Sequence, residues 1–167
     1  MDSEMTMRDV LDYLALWSAI GFALFSAYVV IVFRTGLVYS ARNEDGTLKD
    51  YMPPSGQLNM LFLLVAIVGF QVLANFVGIA REGYRVSFLS LLLLNMAHYL
   101  VLFLFDTVVI DGLVLAVWRP SFLQLPEAMG GESMRKHMLR SIPVGLVAGI
   151  ALSAFSTAIS SSLVAGG

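Results

Sequence analysis

The sequence predicts an all-α membrane protein, a bundle of four transmembrane helices, and three observations carry that prediction. Hydrophobic residues make up 58% of the 167 residues and charged residues only 13%, about half the roughly 25% charged share of soluble domains. A soluble fold this small buries too little of its surface to hide so much apolar side chain, whereas a bilayer solvates it. Four stretches reach the ~20 apolar residues needed to cross a ~30 Å hydrocarbon core at 1.5 Å per residue. They cover about 13–33, 57–80, 86–105 and 141–165, and together make residues 1–167 one integral membrane domain.

The first stretch, from Tyr13 to Phe33, carries no charge and stops at Arg34. The residues before it hold Asp2, Glu4, Arg8 and Asp9. A secretory leader needs a positive segment there, so this stretch reads as a retained helix. Residues 34–56 form a polar loop with a turn signal at Asn43-Glu44-Asp45-Gly46 and a Pro53-Pro54 stop. The second stretch ends at Arg81, and residues 81–85 are too few for anything but a tight hairpin. The second and third helices are therefore antiparallel neighbours. The third stretch ends at Asp106. Run on unbroken to Trp118 it would be about 50 Å long, so it either tilts strongly or breaks near Asp111-Gly112. The sequence favours the break, with Leu113 to Trp118 along the interface and Trp118 and Arg119 as anchors. Residues 119–140 contain Gly130-Gly131 and a Glu132–Lys136 pair at i,i+4, which favours a short helix feeding the fourth span.

Orientation follows from Lys and Arg. The N-terminus, the 81–85 turn and the C-terminus share one side, with Arg8, Arg81 and Arg85. The other side holds Arg34, Arg42, Lys49, Arg119, Arg135, Lys136 and Arg140. That bias places loops 34–56 and 119–140 in the cytoplasm and both termini outside a cell membrane crossed several times.

Helices associate in lipid where small residues let backbones approach. The fourth helix carries Gly145, Gly149, Ser153 and Thr157 at a spacing of four, and the first carries Ala15, Ala19, Ala23 and Ala27. These ridges predict that the first and fourth helices pack together within one chain; the sharper alternative is a homo-oligomer interface, more naturally on the fourth helix. Ser156, Ser160 and Ser162 make that helix too polar to face lipid all round.

Polar groups also lie deep in the second and third spans. Gln71 and Asn95 each stand 12 residues from position 83, which puts both about 18 Å from the turn. On the second helix Gln57, Gln71, Asn75 and Gly78 fall within about 60° of one another. On the third, Asn95, His98, Tyr99, Leu102 and Asp106 share a face about 100° wide. Gln71, Asn75, Asn95 and His98 thus form an intramembrane polar cluster, read either as hydrogen-bonding glue between helices or as a site, since an ionisable residue at depth points to function. Asp106 and Asp111 end the third span near Arg34, Arg119 and Arg140. They read as ion-paired span ends or, with His98, as weak catalytic candidates. On an α-helix they diverge by about 140°, so a break at Gly112 is what would join them.

Other chemistry is excluded. The chain has no cysteine, which removes disulfides and thiolate sites. Phosphatidyltransferases carry four aspartates around D-x-x-D-G, but here only Asp106 and Asp111-Gly112 occur. Haem in a membrane takes paired histidines, and His98 is the only one in a predicted span. HExxH, Walker and Rossmann patterns are missing. No metal, cofactor or nucleic-acid partner is expected. The expected partners are the lipid bilayer and either further copies of the chain or a larger membrane complex. The leading functional expectation is a small transporter or permeation unit, or an accessory subunit. The alternative is a small membrane enzyme with a cytoplasm-facing carboxylate site at Asp106 and Asp111.

Overall fold

A computed structural model describes residues 3–38, 51, 53–125, 127 and 131–164. Four helices in it are long and apolar enough to cross a membrane: Met7–Arg34, Pro54–Ala80, Phe88–Trp118 and Arg135–Ser162. The Asn43–Gly46 turn signal lies outside the described residues.

Helix α1 (Met7–Arg34) starts on a capping box. Thr6 Oγ1 accepts from the Asp9 backbone N–H at 3.3 Å, and the Thr6 N–H donates to Asp9 Oδ2 at 2.8 Å, so two of the helix's orphan donors are satisfied reciprocally. Helix α2 (Pro54–Asn75) begins with proline at its first position, where a missing N–H loses no bond. It then widens to π winding over Phe76–Ala80. A short turn leads to strand β2 (Tyr84–Arg85), which pairs in parallel with β1 (Ser3–Glu4). The sequence offered no sign of this pairing, for two residues are too short to show alternation.

Helix α3 (Phe88–Leu104) is capped by Ser87, whose Oγ accepts the Ser90 N–H at 3.1 Å. The expected break near Asp111-Gly112 does not occur, nor does Leu113–Trp118 leave the helix. Instead the winding changes at Phe105, and Phe105–Trp118 continues as a π-helix. Residues five apart then stand about one turn above each other. Val108, Leu113 and Trp118 are accordingly exposed, while Ile110 and Leu115 are buried. More residues per turn also mean less rise per residue, which shortens a segment that α winding would make too long. Arg119, with a left-handed φ of 48°, ends it by donating its N–H to the Val114 carbonyl at 2.8 Å. A 3₁₀ turn at Ser121–Leu123 follows. Helix α4 runs from Gly131 to Val164, so the expected short feeder and fourth span are one helix.

The chain forms two compact units. The first gathers the described residues of 1–21, 64–102 and 146–167. Its apolar core is Tyr13, Trp17, Ala74, Ile79, Leu91 and Leu94. The second gathers those of 22–63 and 103–145, around Val29, Val32, Phe33, Ile110, Leu115 and Leu123.

The small-residue ridges behave differently from expectation. Ala15, Ala19, Ala23 and Ala27 are all exposed. The buried stripe of α1 is the bulky one, with Tyr13, Trp17, Val29 and Val32, because large side chains remove the most surface from the surroundings. Two glycines of the α4 ridge meet aromatic rings of α3. In the second unit a Cβ on Gly145 would run into the ring of Phe103, and in the first a Cβ on Gly149 would run into that of Tyr99.

Candidate functional site: a buried polar core

Beside its apolar core, the first unit buries a set of uncharged polar side chains. Helix α4 shows this most clearly. Its buried residues there are Gly149, Ser153, Ser156, Thr157 and Ser160, while Val147, Ile150, Phe155 and Ile159 are exposed. Such an inverted pattern suits a helix with lipid outside and polar groups within.

Asn75 is the centre of the network. Its Oδ1 accepts the Tyr13 hydroxyl at 2.8 Å, and its Nδ2 donates to Asn95 Oδ1 at 3.1 Å and to Ser160 Oγ at 2.9 Å. One carboxamide thus ties α2 to the other three helices. Asn95 Nδ2 donates to Thr157 Oγ1 at 2.9 Å, and the Thr157 hydroxyl donates to the Ser153 carbonyl at 2.7 Å. Gln71 Nε2 donates to the Asn95 carbonyl at 2.9 Å, so the two residues equidistant from position 83 do lie side by side. Gln71, Asn75, Asn95, His98, Ser153, Ser156, Thr157 and Ser160 have no exposed surface at all.

The network is incomplete. Among the described residues, six buried polar atoms lack a hydrogen-bond partner: Ser18 Oγ, Gln71 Oε1, both His98 ring nitrogens, Ser153 Oγ and Ser156 Oγ. Each such atom costs about 1–3 kcal/mol unless something completes it. His98 is the most exceptional, since its ring lies against Tyr13 (centroids 6.1 Å apart, edge to face) and Phe70 (5.6 Å). The Trp17 backbone comes near the ring without reaching hydrogen-bonding geometry.

Tyr13 also lines a groove of about 340 Å³ whose other walls include Asp9, Asp12, Gly78 and Glu82. Gly78 is needed for that approach. A Cβ there would stand 2.7 Å from Trp17 Nε1 and 2.9 Å from Tyr13 Cδ2, closer than van der Waals contact allows. Tyr13 therefore belongs both to an open acidic groove and to the buried core.

Of the residues singled out from the sequence, Gln71, Asn75, Asn95 and His98 thus lie in one core, and Ser153 and Thr157 join them. Tyr13, Ser18, Ser156 and Ser160 complete it, and sequence reasoning placed none of them there. Gln57 is exposed and belongs to the second unit. Asp106 and Asp111 also belong to the second unit. Asp111 is 9% exposed, with Oδ2 3.8 Å from His137 Nε2. That histidine lies upstream of the predicted fourth span. In π winding Asp106 and Asp111 stand about one turn apart on one flank, so the α-helical divergence of 140° does not apply. No group of three or more His, Cys, Asp and Glu among the described residues could hold a metal ion.

The chain matches no protein-family model, no curated protein and no solved structure.

Proposed function

We propose that the chain acts as a small membrane transport or permeation unit, in which the polar core of the first unit takes up small hydrogen-bonding species. What supports this reading is the set of six unpartnered polar atoms inside an interior built from hydroxyls, carboxamides and one imidazole. Helix glue needs bonds between protein groups, and the Asn75 network supplies them. It does not need donors and acceptors left open in a low-dielectric interior. The open atoms are neutral, so the fitting passengers are uncharged polar solutes, water or protons. Hydroxyls and imidazole both donate and accept, and His98 is the residue placed to carry a proton.

The proposed setting is a cell membrane, with both termini outside and the 34–56 and 119–140 loops in the cytoplasm, as the Lys and Arg bias favours. The test is reconstitution of the purified chain into vesicles. Urea or glycerol entry is followed by light scattering, and proton entry by an internal pH-sensitive dye. Uptake of at least one species above empty vesicles, reduced by His98→Gln, is expected. Vesicles as tight as empty ones to all of them contradict transport and leave the accessory-subunit reading, in which the chain co-purifies with other membrane polypeptides.

A second reading rests on the Asp111–His137 pair. A buried carboxylate on a π-helix, a winding frequent at functional sites, facing an imidazole on α4, would suit acid/base work on a lipid headgroup. Asp111→Asn should then abolish an activity on membrane lipids while leaving vesicle permeability unchanged.

A further inference from the structure

A second groove in the first unit has a different chemistry from the polar core. It has a volume of about 530 Å³, within the roughly 300–1,000 Å³ range of ligand sites. One end is polar and charged. Strands β1 and β2 pair so that Glu4 stands opposite Arg85, and residues directly opposite in a ladder project to the same face. Both line the groove, as do Ser87 and Ser90, whose hydroxyl oxygens are 2.9 Å apart. The other end is apolar, walled by Val10 and Leu14 of α1 and by Leu93 and Ala97 of α3. Leu11, Leu89 and Leu93 expose most of their surface beside it, so in a bilayer this flank meets acyl chains.

We propose that this groove is a binding site for one phospholipid with a primary-ammonium headgroup. A headgroup end bearing one acid and one base matches a zwitterion. The planar guanidinium of Arg85 is suited to the phosphate, which it can grip with two parallel N–H donors. The Glu4 carboxylate and the serine hydroxyls accept from an ethanolamine ammonium, which has three N–H donors. A choline headgroup has none, and phosphatidylglycerol carries the same phosphate with neutral hydroxyls in place of the ammonium, so the Glu4 charge is left without a cation. The acyl chain lies between α1 and α3, along Leu14, Leu93 and Ala97.

The test is native mass spectrometry of the full chain, released from detergent after incubation with equal amounts of phosphatidylethanolamine, phosphatidylcholine and phosphatidylglycerol. One retained phosphatidylethanolamine is expected, favoured about tenfold over either competitor. Glu4→Gln, at an exposed position, should remove the preference over phosphatidylglycerol. Arg85→Gln should reduce retention of all three, and Ala97→Phe should fill the apolar end and abolish it. Deacylated glycerophosphoethanolamine should not displace the lipid. Equal retention of the three lipids by the unaltered chain, undiminished retention by Ala97→Phe, or displacement by the deacylated headgroup would each overturn the proposal.

Discussion

Asn75 bonds to a side chain from each of the other three long helices. Interhelical hydrogen bonds in membranes average about 0.6 kcal/mol each. Asn75→Leu is therefore expected to lower unfolding free energy by about 2 kcal/mol in mixed micelles. Tyr13→Phe, which removes one of the three bonds, should cost about 0.6 kcal/mol. If the two variants are equally stable, Asn75 is not the hub. Gln71, Asn75, Asn95 and His98 were visible in the sequence because a polar side chain in an uncharged apolar run stands out against its neighbours. Tyr13 was not, since a tyrosine at the end of a span reads as an interfacial anchor. Ser156 and Ser160 were read only as polarity on α4. A serine can satisfy itself on its own helix backbone, so its sequence position does not reveal which way it faces. His137 carries no such signal, because it lies in a polar stretch before the predicted fourth span.

At the scale of elements, the small residues of α4 serve packing against α3, where rings of Phe103 and Tyr99 cover Gly145 and Gly149. Gly149→Leu is accordingly expected to unfold the single chain, read as loss of the monomer's thermal transition. A stable monomer that has lost only self-association would restore the oligomer-interface reading. The identical spacing on α1 was misleading. Spacing reveals a ridge but not which side of the helix the bulky residues Tyr13 and Trp17 take to the interior. The π-helix was illegible for a related reason, since apolar residues fit either winding and nothing in the composition marks one extra residue per turn. Its signature is burial, with Val108, Leu113 and Trp118 exposed in steps of five. Beyond it, Gln124 holds a left-handed φ of 53° after the 3₁₀ turn, a conformation that strains any residue with a Cβ by about 1 kcal/mol. Glycine adopts that φ freely, so Gln124→Gly should raise the midpoint of thermal unfolding, and an unchanged or lowered midpoint would contradict strain at this position.

For the whole molecule, helix number and the hairpin between α2 and α3 were legible because length, charge and a five-residue link leave no alternative. The division into two units was not, since every long helix contributes to both. The topology has its own check in a chain without cysteine. With an impermeant maleimide, a single cysteine at Ser87 should be labelled on intact cells, and one at Lys49 only after the membrane is permeabilised. The reverse pattern would invert the proposed orientation.

The proposal that the polar core receives small hydrogen-bonding species is tested most directly by removing open hydroxyls that bond to nothing. Ser153→Ala and Ser156→Ala together delete two unpartnered buried oxygens, a change that leaves the Asn75 network in place and is neutral or stabilising where a group only bears a desolvation penalty. Measured side by side, vesicle uptake should fall severalfold while the unfolding midpoint stays level or rises. Unchanged uptake with the same stability would mean that these oxygens meet no passenger, and would contradict the account.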